Sequence, residues 1–135
     1  MYLVDTNIFL EVLLSGSKRG ECKLFLGYLR DGVRVGSVTD FSIHSIIVVM
    51  NQLGRRDGLK TFLQSLTAYR GLSIYPTSLA DEIRAIDLAA ETGLDMDDSL
   101  QYASALSTEA ECIVSFDKHF DGLKIQRREP SELQI

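Results

Sequence analysis

The sequence predicts an α/β domain in which helices cover both faces of a parallel sheet. Short apolar runs alternate along the chain with segments of helical periodicity, which is typical of a three-layer α/β sandwich. The length of 135 residues suits one domain with a substantial core. No repeat, low-complexity tract or Pro/Gly-rich linker divides the chain, so we expect residues 1–135 to form a single domain.

The first quarter of the chain is expected to form a strand, two helices and a second strand. The apolar run over residues 1–5 predicts the first strand. Apolar residues at helical spacing predict helices over 7–14 and 20–30, and the breaker sequence at 15–17 separates them. The alternating apolar run over 33–37 predicts the second strand.

An unusually apolar helix is expected next, over residues 41–53. The pair Thr39-Asp40 precedes it and supplies helix-capping side chains, and Gly54 ends it. Apolar residues occur nearly all the way round this helix, which indicates deep burial or cover by a partner. We therefore expect a homodimer contact on it. A further helix is predicted over residues 57–69.

The second half of the chain completes the alternation of strands and helices. A short strand is predicted over 73–75, followed by helices over 78–92 and 97–110. The apolar run over 111–115 predicts a buried strand, and residues 123–125 predict a short edge strand.

The charge balance excludes one class of function. The net charge is −5 at pH 7, so the chain does not coat nucleic acid through bulk positive charge. Action on a phosphate-containing substrate stays open, because a bound cation reverses the local field of clustered carboxylates.

A cytoplasmic protein without membrane association is expected. The chain has no apolar run of about 18 residues. Its first residues lack the pattern of a secretory signal, and the two cysteines Cys22 and Cys112 do not make a disulfide framework.

Four aspartates are predicted to meet at one edge of the sheet. Asp5 and Asp117 each follow a strand-like run, and ligands of open α/β sheets bind beyond the carboxyl ends of the strands. Asp98 and Asp40 stand at the starts of two predicted helices at the same edge. Crowded carboxylates repel one another, and a cation or a shared proton is the usual solution. The pattern therefore indicates a metal site.

Each aspartate also has a purely structural interpretation. Asp5, Asp40 and one of Asp97 and Asp98 precede helices, where aspartate caps free backbone N–H groups. Asp117 can equally be a turn residue. Their joint placement at one sheet edge favours the metal site, and Mg²⁺ prefers such oxygen ligands.

Three segments of the chain resemble the signature segments of PIN-domain ribonucleases, a family that includes the toxins of VapBC-type toxin–antitoxin pairs. They are Val4-Asp5-Thr6-Asn7, the segment from Gly93 to Ala105, and the segment from Ile113 to Phe120. The resemblance implies a PIN-like fold with a five-stranded parallel sheet in the order 3-2-1-4-5. It also implies Mg²⁺- or Mn²⁺-dependent cleavage of RNA and, for a toxin, an antitoxin protein as partner.

The resemblance assigns roles to individual residues. Asp5, Asp98 and Asp117 match the metal-binding carboxylates of the family, and they are also our candidate catalytic residues. Asn7 resembles the residue that orients the first carboxylate. Ser115 stands where the family usually has a Thr or Ser hydroxyl, and we group it with Asn7 as a candidate substrate-binding residue.

One position departs from the family pattern. PIN domains normally have a glutamate in the helix after the second strand, and this chain has no glutamate between Glu21 and Glu82. Asp40 can supply the missing catalytic carboxylate. His44 lies four residues further on the same helix face and can bind metal or substrate, although a lone histidine on an apolar helix also suits a core position. Lys118, next to Asp117, is a candidate phosphate ligand.

Two functions of different classes follow from this pattern. The first is a metal-dependent endoribonuclease, the toxin of a toxin–antitoxin pair. The alternative is a catalytically weak or inactive PIN-like module that binds RNA or protein. Phosphatases of the haloacid-dehalogenase type are disfavoured, because they need a second aspartate at the position of Asn7. Receiver domains are disfavoured by the lack of a strand-end aspartate in mid-chain.

Overall fold

The computed structural model describes residues 1–135 as a five-stranded parallel sheet surrounded by six α-helices. The strands are β1 (Tyr2–Val4), β2 (Gly36–Thr39), β3 (Leu72–Tyr75), β4 (Cys112–Val114) and β5 (Gln126–Arg128). The helices are α1 (Thr6–Leu13), α2 (Arg19–Asp31), α3 (Asp40–Gln52), α4 (Leu59–Leu66), α5 (Leu79–Thr92) and α6 (Met96–Ser107). Two short 3-10 helices span Lys118–Phe120 and Pro130–Leu133. None of the helices has both the length and the apolar character needed to cross a membrane.

The order of the strands is β3-β2-β1-β4-β5, and every neighbouring pair is parallel. This confirms the predicted α/β fold class and the order 3-2-1-4-5. The central strands β1 and β4 are completely buried, as their unbroken apolar sequences indicate.

Alternate residues of the central strand β1 point into two cores, one on each face of the sheet. Tyr2 and Val4 contribute to the larger core, which also contains buried residues of α1, α2, α3 and α4. Leu3 contributes to a smaller core with Ile113 and Tyr102, on the side of α6. The sheet is therefore the middle layer of three.

The second strand begins later than the sequence pattern predicts. The prediction of a strand over 33–37 depends on the apolar residues Val33 and Val35. In the structure both side chains are exposed and precede β2. The backbone N–H of Val33 instead donates to the carbonyl of Tyr28, which closes the end of α2. Pairing with β1 places Ser37 opposite Leu3, so long-range register rather than local apolar content sets the start of β2.

The predicted edge strand over 123–125 is wrong, because β5 comprises Gln126–Arg128. Arg127 lies opposite Ile113 of β4, and this pairing defines the strand. Leu123 and Ile125 are apolar because they pack on the smaller core from the preceding loop. A partly exposed edge strand can consist of polar residues, as β5 does. Apolar runs in the sequence therefore do not predict its position.

Helix α3 exposes little of its apolar surface to solvent, although apolar residues occur nearly all the way round it. Its buried residues are Ser42, Ile46 and Met50, and only Val48 among its large apolar residues is exposed. The homodimer contact predicted on this helix stays a prediction. A wider exposed apolar surface lies elsewhere, on α5.

Candidate metal centre

A cleft of about 240 Å³ lies beside the carboxyl end of β1, between residues of α1, α3 and the start of α6. Asp5 directly follows β1, Ser115 directly follows β4, and α6 begins beside them with its N-terminus toward the cleft. The cleft is lined by Asp5, Thr6, Asn7, Leu10, Phe41, Ser45, Asp97, Asp98 and Gln101. Most of these side chains are polar, so the cleft suits a polar or charged ligand.

Asp5 lies at the buried base of the cleft and is only 8% exposed. Its Oδ1 accepts hydrogen bonds from the backbone N–H of Thr6 at 2.8 Å and from Nε2 of Gln101 at 2.9 Å. Its Oδ2 accepts a hydrogen bond from Oγ of Ser115 at 2.6 Å. Burial raises the pKa of Asp5, and the hydrogen bonds from Ser115, Gln101 and Thr6 oppose this rise. The carboxylate is therefore held in one orientation.

Asp98 faces the cleft because another aspartate caps the helix. Oδ1 of Asp95 accepts a hydrogen bond from the backbone N–H of Asp98 at 2.8 Å, which satisfies the start of α6. Burial raises the pKa of Asp98 to about 6, and the nearby charge of Asp117 adds to the rise, while a hydrogen bond from His119 opposes it. A carboxylate that resists ionisation in this way gains from a neighbouring cation.

Asp98, Asp117 and His119 form a cluster in which the ligand atoms lie within 4.8 Å of one another. Nδ1 of His119 is 3.3 Å from Oδ2 of Asp98 and 3.2 Å from Oδ1 of Asp117. The pKa of His119 is raised by its hydrogen bond to Asp98 and by the charge of Asp117. Two carboxylates and an imidazole are a donor set that fits a divalent cation.

Ser115 and Asn7 connect the ends of β1 and β4. Oγ of Ser115 donates to Asp5 and accepts hydrogen bonds from the backbone N–H of Asp117 at 2.9 Å and from Nδ2 of Asn7 at 3.2 Å. Asn7 thus acts on Asp5 through Ser115, and it lines the cleft. The substrate-binding roles of both residues stay predictions.

Asp40 and His44 lie outside the cleft lining. Oδ1 of Asp40 accepts hydrogen bonds from the backbone N–H of Phe41 and from the backbone N–H and Oγ1 of Thr77, which joins α3 to the loop before α5. Burial acts to raise the pKa of Asp40, but these hydrogen bonds outweigh burial, so the pKa lies below its usual value. His44 is exposed, and its neighbour Ser45 lines the cleft instead. The structure therefore does not bring Asp40 or His44 together with the other candidates, and their site roles stay predictions.

Lys118 is exposed and directly follows Asp117 at the start of a 3-10 helix. Arg127 of the neighbouring strand β5 is bound by Asp121 and Glu129 and donates to the carbonyl of Ser115. Lys118 therefore stays the better candidate for contact with a phosphate group.

The sequence prediction missed a buried polar network beside Asp5. Nε2 of Gln101 donates to Oγ of Ser42 at 2.8 Å as well as to Asp5, and Oγ1 of Thr6 also donates to Ser42 at 2.8 Å. Oγ1 of Thr39 donates to Oε1 of Gln101 at 3.0 Å. The spacing from the helix cap is a signal that could have identified Ser42. This residue lies three positions after Thr39, where a capping box has its second polar residue.

Comparison with known proteins finds a family model that matches most of the chain. A family model described as PIN domain matches residues 2–125 of the chain. The search of curated proteins found no match to the chain.

Two solved structures share the fold of this chain. One is a toxin–antitoxin complex from Klebsiella pneumoniae, with 21% sequence identity and a TM-score of 0.72, covering 96% of this chain and 98% of that chain. The other is VapC20 of Mycobacterium tuberculosis, described as a toxin that cleaves the sarcin-ricin loop. It has 12% identity and a TM-score of 0.71, covering 87% of this chain and 90% of that chain.

Proposed function

This chain belongs to the PIN-domain family, and from that premise we propose that it is a metal-dependent endoribonuclease that hydrolyses RNA phosphodiester bonds. The observation that carries the proposal is the cluster of Asp98, Asp117 and His119 beside the fixed carboxylate of Asp5. The cluster stands at the carboxyl edge of a parallel sheet, where α/β folds bind ligands. Mg²⁺ or Mn²⁺ is the cation that such a donor set suits.

The residues of the cleft and of the adjoining cluster have separate roles in this proposal. Asp98 and Asp117 hold the cation, and Asp5 adds a third negative charge from the buried base of the cleft. A divalent cation held by these residues would polarise the phosphoryl group and lower the pKa of a bound water. Lys118 is exposed beside Asp117 and attracts the RNA phosphate, and Asn7 orients the site through Ser115.

We further propose that the chain is the toxin of a toxin–antitoxin pair and works as a homodimer in the cytoplasm. Support for the assignment as a toxin comes from the two similar structures, one of a toxin–antitoxin complex and one of a toxin that cleaves the sarcin-ricin loop. The partners in this proposal are RNA, as substrate, and an antitoxin protein, as inhibitor.

One observation favours the alternative of a weak or inactive RNA- or protein-binding module. No carboxylate of α3 lines the cleft, because α3 contributes only Phe41 and Ser45 to its lining. Gln101 also occupies Oδ1 of Asp5 with its amide. Fewer carboxylates hold a cation less tightly, which would lower the activity.

Cleavage of RNA by purified protein distinguishes the two functions. We expect mixed RNA to be cut in Mn²⁺ or Mg²⁺ and to stay intact in EDTA. Asp98→Asn should lower the rate about 100-fold or more, because it removes a negative ligand. Asp87→Asn is the matched control, since Asp87 is exposed on α5 and lies outside the cleft.

Cleavage that survives both EDTA and Asp98→Asn would contradict the metal-dependent nuclease. Tight RNA binding without cleavage in either metal would support the binding module. The readout is a denaturing gel of end-labelled RNA, with binding measured in parallel by fluorescence anisotropy.

A further inference from the structure

We propose that Nδ1 of His119 is a ligand of the cation, so that this chain has a nitrogen in its metal centre and favours Mn²⁺ over Mg²⁺. The inference rests on the proposed function, because it concerns the cation of that same site. It goes beyond the three carboxylates that the family resemblance assigns, and it concerns a histidine at a position two residues after Asp117.

The distances around His119 match those between neighbouring ligands of one ion. Nδ1 lies 3.3 Å from Oδ2 of Asp98 and 3.2 Å from Oδ1 of Asp117. Neighbouring ligands in an octahedral site with bonds of about 2.1 Å are about 3.0 Å apart. A small movement of the side chains therefore places a cation among the three atoms, in exchange for the hydrogen bonds that hold them now.

The backbone keeps the imidazole at this position. The backbone N–H of His119 donates to Oδ1 of Asp117 at 2.9 Å, so the aspartate caps the 3-10 helix that carries the histidine. The next residue, Phe120, is completely buried in the smaller core. His119 is thus anchored on both sides, although its own side chain is 72% exposed. Nδ1 exchanges its hydrogen bonds with the carboxylates for the metal when Nε2 carries the ring proton of the neutral imidazole.

The α3 side of the cleft offers no carboxylate or imidazole ligand. The α3 carboxylate, Asp40, is occupied by Thr77, and Ser42 and Gln101 bond to each other beside Asp5. The imidazole of His119 therefore takes the place of a further oxygen ligand. Mg²⁺ prefers oxygen ligands in near-ideal octahedral geometry, whereas transition-metal ions also accept imidazole. This difference is the reason to expect a preference for Mn²⁺.

Mn²⁺ binding to the purified protein tests the inference without any measurement of activity. Pulsed electron paramagnetic resonance detects a ¹⁴N nucleus bound to Mn²⁺, and the chain contains only two histidines, His44 and His119. We expect the histidine ¹⁴N signal in the wild type and in His44→Ala, and its loss in His119→Ala. Mn²⁺ affinity should fall about tenfold or more in His119→Ala, and Mg²⁺ affinity, measured by competition, by less than about twofold. His119→Asp should raise the affinity for Mg²⁺ relative to Mn²⁺, because it supplies an oxygen ligand.

The outcomes separate this inference from the proposed function. Mn²⁺ binding that is lost in Asp98→Asn but carries no histidine ¹⁴N signal would overturn the role of His119 and leave the metal site in place. A ¹⁴N signal that disappears only in His44→Ala would also overturn it. Absence of Mn²⁺ binding in the wild type would overturn both proposals. Circular dichroism of each variant checks that the fold is retained.

Discussion

At the residue scale, the hydroxyl of Ser115 connects the side chains that follow β1 and β4. It donates to Asp5 and accepts hydrogen bonds from Asn7 and from the backbone of Asp117. All three of its hydrogen-bonding positions are thus used, and the residue is completely buried. Ser115 therefore positions two candidate metal carboxylates at once.

We expect Ser115→Ala to lower the free energy of unfolding by about 1–3 kcal/mol, because a buried acceptor of Asp5 loses its donor. The pKa of Asp5 should rise further, since the hydrogen bond from Ser115 is one of those that oppose the effect of burial. Urea denaturation measures the first effect, and carboxyl NMR titration measures the second. Ser115→Thr keeps the hydroxyl and is the matched control. Equal stability of the Ala and Thr variants would contradict the role of the hydroxyl.

The sequence allows some neighbours in the site to be predicted but not others. That Asp98 and Asp117 lie close together follows from strand ends and helix starts, and the structure places their oxygens in one cluster. The bonds from Gln101 to Asp5 and from Thr77 to Asp40 join residues far apart in the chain. No local pattern encodes them, because they depend on how helices pack across the sheet.

At the element scale, a buried carboxylate joins β3, α5 and α6. Asp81 is 3% exposed, and its oxygens accept hydrogen bonds from the hydroxyls of Tyr75 and Ser107, each at 2.7 Å, and from the backbone N–H of Ser78 at 2.9 Å. Burial acts to raise the pKa of Asp81, but the hydrogen bonds from Ser78, Tyr75 and Ser107 outweigh burial, so the pKa lies below its usual value. The start of α5 is thereby attached to the helix that carries Asp98.

We expect Asp81→Asn to destabilise the protein by about 1–3 kcal/mol at pH 7, because the charged acceptor is lost. The pKa of Asp81 is lower in the folded protein than the unfolded value of about 3.9. Its contribution is therefore complete above about pH 4 and is lost as the pH falls through the folded pKa. Consequently the difference in the free energy of unfolding between the wild type and Asp81→Asn should become smaller below about pH 4. Urea denaturation over a pH series measures this, with Glu82→Gln as an exposed control. A difference that is independent of pH would contradict the role of the charge.

At the scale of the whole molecule, α5 presents an apolar stripe to solvent. Leu79, Ile83 and Ile86 recur at helical spacing with exposed fractions of 77%, 57% and 59%. Ile74 of the edge strand β3 is also 50% exposed. Exposed apolar surface of this kind is typical of contact with another protein.

For the proposed homodimer we therefore expect the contact to involve α5 more than α3. Ile83→Lys should shift the sedimentation coefficient toward that of the monomer, because it places a charge within the apolar stripe. Val48→Lys, at an exposed position of α3, is the matched control and should leave the assembly unchanged. Analytical ultracentrifugation over a range of concentrations measures both. Dissociation by Val48→Lys alone would instead favour the original assignment to α3.

The amino-acid sequence was sufficient to predict the fold class, the positions of most helices and strands, and the strand-end or helix-start locations of Asp5, Asp98 and Asp117. These features depend on local periodicity and on the ends of elements, which a single sequence displays. Three features became visible only in the folded chain: the bounds of β5, the attachment of Asp40 to Thr77, and the position of His119 between two carboxylates. Each of these depends on contacts between distant segments, and their geometry is set when the layers pack together.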